Sequence, residues 1–246
     1  VQINSLTINS AAVGGSITVI GNVTGIPGAA GGIYQVGGTI TGASGSNITF
    51  ISNNDINQNG TIALAANTSG VAESVTFNTT SGDNTSKVTT GTLTIAAGST
   101  SAINYIIKTN GAIINPPAVT VPGYILLDNT CLGCATAATP TTAAVNGAAI
   151  TLGGALSAGT LAGTTGVTMN AVANGSGIAV TQGANNITAS AGGVTITANG
   201  QTGTGYSSTG NIAAAGQAIT IATTTTTAAG INDTGTISGG VVTLTS

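Results

Sequence analysis

The chain has 246 residues yet only two Lys+Arg, five Asp+Glu, no His and no Trp, against 39 Gly. General acid–base catalysis, metal capture and phosphate neutralisation draw on those scarce types, so the composition argues against an enzyme, a cofactor or metal site and a nucleic-acid partner. A formal charge of −3 gives little field to draw the chain to nucleic acid or to an anionic membrane surface, and solubility is left to hydroxyls, amides and turns.

The apolar fraction is 41% and the aromatic fraction 2%, so the apolar content is Ala, Val, Ile and Leu, which fill a narrow interior. Val, Ile and Thr recur in short runs between Gly, Asn and Ser, the pattern of strands separated by turns. No apolar run approaches the roughly 20 residues of a membrane-spanning helix, so no membrane insertion is expected. Helical periodicity is absent, and the Ala-rich stretches 135–138 and 213–215 are short.

From its first residue the chain alternates as a strand, Val1, Gln2, Ile3 and Asn4 leading into Ile8. An apolar-polar-apolar phrase then returns along residues 1–109: Asn47-Ile48-Thr49-Phe50, Thr61-Ile62-Ala63-Leu64, Ser74-Val75-Thr76-Phe77 and Thr92-Leu93-Thr94-Ile95. Its register is loose there, with 31 residues from Ile62 to Leu93. Residues 110–140 hold Pro116, Pro117, Pro122 and Pro140 and both cysteines. Because proline cannot serve inside a central strand, this stretch is expected to be an insertion or a boundary loop. In residues 141–246 the phrase is regular: Ile187, Ile212 and Ile237 are 25 apart, Val194 and Ile219 are 25 apart, and Ile219 and Val242 are 23 apart.

A strand-bearing period in this range signals a solenoid, each coil stacking on the last at the strand spacing of about 4.8 Å. The chain is therefore expected to be all-β, a right-handed parallel β-helix of roughly eight to ten coils with Ile and Val inside and Thr outside. Stacked coils also account for the charge deficit, since like charges on adjacent rungs oppose one another whereas Thr, Ser and Asn ladders do not. The alternative is a pilin-like β-sandwich whose N-terminal strand is donated to a neighbouring subunit. An antiparallel sandwich would not require a 25-residue period, and that is the discriminator.

The alternation of Gly-Asn-Ile, Gly-Gly-Val-Thr-Ile-Thr-Ala and Ser-Gly-Ser-Asn-Ile-Thr-Phe resembles the repeats of filamentous-haemagglutinin-like exoproteins and autotransporter passengers, in style over most of the chain and most clearly in 166–246. That resemblance implies a secreted β-helix at a bacterial surface: a structural segment of an extracellular filament or adhesin, whose partners are copies of itself or a continuing chain and host or cell-surface glycans. Assembly edges are then expected at Val1, Gln2, Ile3 and Asn4 and at Val241, Val242, Thr243 and Leu244. In a secreted protein Cys131 and Cys134 by default close a small disulfide loop, with an interchain bridge or a redox dithiol as alternatives. A zinc site would lack two ligands.

The acids Asp55, Glu73, Asp83, Asp128 and Asp233 are scattered, whereas a carbohydrate-cleaving β-helix needs two or three gathered on one face. They are expected to be solvated turn residues. Asn-x-Ser/Thr sequons begin at Asn22, Asn47, Asn59, Asn67, Asn78, Asn84, Asn174, Asn186 and Asn232, as chance provides in so Thr- and Asn-rich a chain. The run 223–227 and the pair Thr195/Thr197 point toward an ice-ordering threonine ladder, but an ice face repeats Thr-x-Thr on nearly every coil and here it is intermittent.

Overall fold

The computed structural model describes residues 2–3, 8–10, 13–21, 32–52, 54–79, 86–130, 149–173 and 176–246. Val1, Asn4, Asp83, Cys131, Cys134 and the rest of 131–140 lie outside the described residues. Within them all regular structure is strand, and the pairings are parallel. A single isolated bridge, Asn110 to Thr130, is antiparallel. The sandwich alternative is thereby overturned: antiparallel facing sheets are not what these strands build.

The chain is a β-solenoid with three faces. The first is a nine-stranded sheet that gains one strand per coil, from Gln2–Ile3 through Ile56–Gln58 and Ile113–Asn115 to Ile231–Asp233. The second begins with Ile8–Ser10, Thr39–Gly42, Thr61–Leu64 and Leu93–Ile95 and stops there. It resumes with Val119–Val121, Leu156–Ala158 and Ile187–Ala189. The third runs from Ser16–Gly21 to Ile237–Thr245, and the strand Ile212–Thr225 turns the corner from the second face onto it without a break.

Alternation along each strand decides what lies inside. In Asn47–Ser52 every second residue is buried, so Ile48 and Phe50 point in while Thr49 points out. Two apolar columns run the length of the third face. Ile17, Ile48, Val75, Tyr105, Ile125, Val167, Val194, Ile219 and Val242 form one; Val19, Phe50, Phe77, Ile107, Leu127, Met169, Ile196, Ile221 and Leu244 form the other. Burying each Ile or Val contributes about 1.5–3 kcal/mol. Phe50 and Phe77 stack with ring centroids 4.9 Å apart, and Tyr105 tilts against Phe77 at 5.8 Å.

Period and register agree: Ile187 lies under Ile212, Ile212 under Ile237, Val194 under Ile219 and Ile219 under Val242. Leu93 likewise sits directly on Ile62. The 31-residue interval between them is thus a normal rung with a longer corner: eight residues, 65–72, separate Thr61–Leu64 from Glu73–Thr79, where the preceding rung uses four, 43–46.

Residues 110–140 need a correction over the part that is described. Ile113–Asn115, Val119–Val121 and Ile125–Asp128 are a rung of the solenoid, paired with neighbouring rungs. The prolines do not expel the chain because Pro116, Pro117 and Pro122 all fall in the corners between these strands, where no ladder N–H is required.

Corners carry buried polar groups that strand alternation does not announce. Gln35 and Gln58 turn inward and donate through Nε2 to the carbonyls of Gly37 and Gly60, at 3.1 and 2.8 Å. Gln58 Oε1 also accepts from the Gly91 N–H one rung on, at 2.9 Å. The glycines let these corners stack, since a Cβ on Gly91 would collide with the Gly60 carbonyl and one on Gly235 with the Gly210 carbonyl.

Candidate assembly edges

The solenoid's last rung, 231–245, is held from one side only. Ile231–Asp233 pairs with Tyr206–Ser208, and Ile237–Thr245 pairs with Ile212–Thr225. The N–H and C=O groups of its other edge meet no strand among the described residues. Its side chains tell the same story: Ile219 and Ile221 are fully buried, yet Val242 and Leu244, next in the same two columns, are 42% and 51% exposed. Val241 is exposed as well, and Thr243 ends the outward column. At the opposite end Gln2–Ile3 pairs, among the described residues, only with Tyr34 and Gln35. Of the residues expected at assembly edges, Gln2, Ile3, Val241, Val242, Thr243 and Leu244 lie on these two end strands, and Val1 and Asn4 lie outside the described residues.

Asp55 accepts from the Tyr34 hydroxyl at 3.0 Å and from the Lys87 N–H at 2.8 Å. Burial, then the hydrogen bond and the charge of Asp55, push the Tyr34 phenol up. Asp128 accepts from the N–H and hydroxyl of Thr130 at 2.8 and 2.7 Å, and Asp233 from the Gly235 N–H at 3.1 Å. Three acids thus brace turns, on separate rungs.

Glu73 corrects the expectation for the group. It points into the core at 1% exposure, and neither carboxyl oxygen has a hydrogen-bond partner among the described residues. Desolvation pushes its pKa up to about 7; the N–H groups of Gly45 and Ser46 pull the other way without closing a hydrogen bond. Its place as the first inward residue of Glu73–Thr79 is the signal that alternation with Val75 and Phe77 offered.

Two tyrosines are interior as well. The Tyr105 hydroxyl lies 2.5 Å from Thr90 Oγ1, and Tyr206 donates to Gln182 Oε1. Burial raises both phenols far above the ordinary value.

Among the sequons, Asn67 is fully buried and its amide is occupied, donating to the carbonyls of Val71 and Ala102 and accepting from Ser69. Asn47, Asn186 and Asn211 accept from a backbone N–H on the next rung, at 2.9–3.0 Å, and so lace rungs together from outside. The outward column of the third face carries Thr at 18, 49, 76, 168, 195, 220 and 243, interrupted by Ile106 and Leu126. The described residues contain no cluster of three or more metal-ligating side chains, and no helix long and apolar enough to cross a membrane.

Comparison with family models, curated proteins and solved structures finds no match to this chain.

Proposed function

We propose that this chain is a structural segment or subunit of an extracellular, cell-surface filament or adhesin, lengthened by adding rungs at its open strand edges. The observation that carries the reading is the exposure of Val242 and Leu244 at the head of two columns whose preceding members are fully buried. A further rung, from continuing chain or from another copy, extends both columns and satisfies the unpaired edge. Charge supports it: Asp233 is the single ionised side chain of the last rung, 231–245, and the first rung, 2–21, carries none, so little repels their stacking. Surface exposure to host or cell-surface glycans belongs to the same reading.

Electron microscopy of the native material tests it. A thin, uninterrupted rod about as wide as one solenoid is the expected outcome. Isolated globules, or beads at regular intervals along a thread, overturn it.

A further inference from the structure

The second face is broken once within the described residues, between Leu93–Ile95 on rung 4 (87–109) and Val119–Val121 on rung 5 (113–128). The cause is a difference in corner length. From the second face to the third, rung 4 uses residues 96–102 and rung 6 (150–172) uses 159–166, but rung 5 uses only 122–124, shortened around Pro122. Rung 5 therefore sits back between two wider neighbours and leaves a notch of about 550 Å³. Its lining includes Leu93, Ile95, Ala97, Thr120, Pro122 and Thr160 and contains no charged or aromatic side chain.

Two features of the notch belong to an unfinished sheet. Ile62 N–H bonds the Thr92 carbonyl and Ala96 N–H bonds the Leu64 carbonyl, both at 2.9 Å. In a parallel ladder residues point their backbone groups to alternate sides, so the N–H and C=O of Leu93 and Ile95 aim across the notch, where no strand among the described residues pairs with them. Their side chains are only partly buried, whereas Ile62 and Leu64 directly beneath are 2% and 4% exposed.

We infer that this notch is the docking site for one extended, uncharged peptide strand, which adds to the open edge of Leu93–Ile95. A strand alone offers alternating donors and acceptors at the spacing of that edge, together with apolar side chains two residues apart to cover Leu93 and Ile95. The uncharged lining penalises an ionic occupant, which would lose its hydration without a partner. A glycan is the less suited occupant, because the notch has no aromatic platform on which a sugar ring stacks.

The test uses the whole chain and a neutral, end-blocked probe peptide, Gly-Thr-Leu-Thr-Ile-Ala, copied from residues 91–96 so that it stacks like on like. Titration followed by NMR is expected to show saturable one-to-one binding, with shifts concentrated at Leu93, Ile95 and Thr120. The same peptide N-methylated at alternate amides is expected to bind at least tenfold more weakly. Ala97→Trp, at an exposed position, fills the notch from outside the core and is expected to abolish binding. The inference is overturned by absence of saturation, by equal binding of the N-methylated peptide, by full affinity in the Ala97→Trp chain, or by a neutral oligosaccharide that binds the same residues in preference to the peptide. None of these readouts depends on rod formation.

Discussion

Glu73 makes the stability of the solenoid respond to pH in a direction opposite to that of a salt-bridged acid. Its carboxyl titrates near 7 in the fold and at its ordinary value near 4.5 in the unfolded chain. Between these values the unfolded chain releases the proton and the folded one keeps it, so stability is greatest below about pH 4.5, falls as pH rises toward 7 and is level above. A displacement of that size corresponds to at most about 3 kcal/mol. Glu73→Gln retains the shape and removes the titration; its denaturation midpoint is expected to exceed that of the parent at pH 8 and to match it near pH 4. Gly91 sets the opposite limit, since its missing Cβ is what admits the Gly60 carbonyl. Gly91→Ala is expected to cost about 1–3 kcal/mol by overpacking, read as a lower midpoint with an unchanged slope. Neither role was visible from composition. Glu73 was legible only to someone who extended the alternation of Val75 and Phe77 one step backward, and Gly91 looks like any turn glycine until the next rung is laid on it.

The strand columns hold the fold, and an aromatic ring stacked between two others is the member least easily replaced. Phe77 lies between Phe50 and Tyr105 with no exposure, and small residues on adjoining rungs cannot move in to fill its volume because the ladders fix the rung spacing. Phe77→Ala is expected to lower stability by about 3–5 kcal/mol, and the near-ultraviolet circular dichroism of Tyr105 to weaken with it. Elements of this kind were legible where the period is strict. Equal spacing at Ile187, Ile212 and Ile237 is register written into the chain, because each rung there spends the same number of residues on its corners. From Ile62 to Leu93 the same register survives an unequal corner, so interval alone misleads while the phrase itself does not. The prolines of 116–122 misled for a related reason: their effect on a strand is felt only if they stand in one, and the corner positions of rung 5 accept them. The break they bring about on the second face follows from stacking a short rung on a long one, which no single stretch of sequence contains.

At the scale of the molecule, a solenoid made of parallel rungs has two ends and no closed sheet, so its extent is governed by what the end rungs present. Superposing the last rung on the first preserves both interior columns: Val242 comes to Ile17 and Leu244 to Val19, the residues that begin those columns. On the proposed reading such a contact is head-to-tail, and where its rotation does not close into a ring it propagates as a filament. Replacing both Val242 and Leu244 by Lys sets two charges against the apolar Ile17 and Val19 of every incoming rung, where they would be buried without a partner, and the surface has few acids to neutralise them. The positions are exposed in the single chain, so the substitution leaves the columns below intact, and the melting of the isolated chain is expected to move little. Sedimentation velocity then separates the two properties: the parent chain is expected to grow to larger species with concentration, and the doubly substituted chain to remain a single 23.1 kDa species. If the charged chain associates as readily as the parent, the terminal rung is not the growing surface, and lengthening through open edges fails with it.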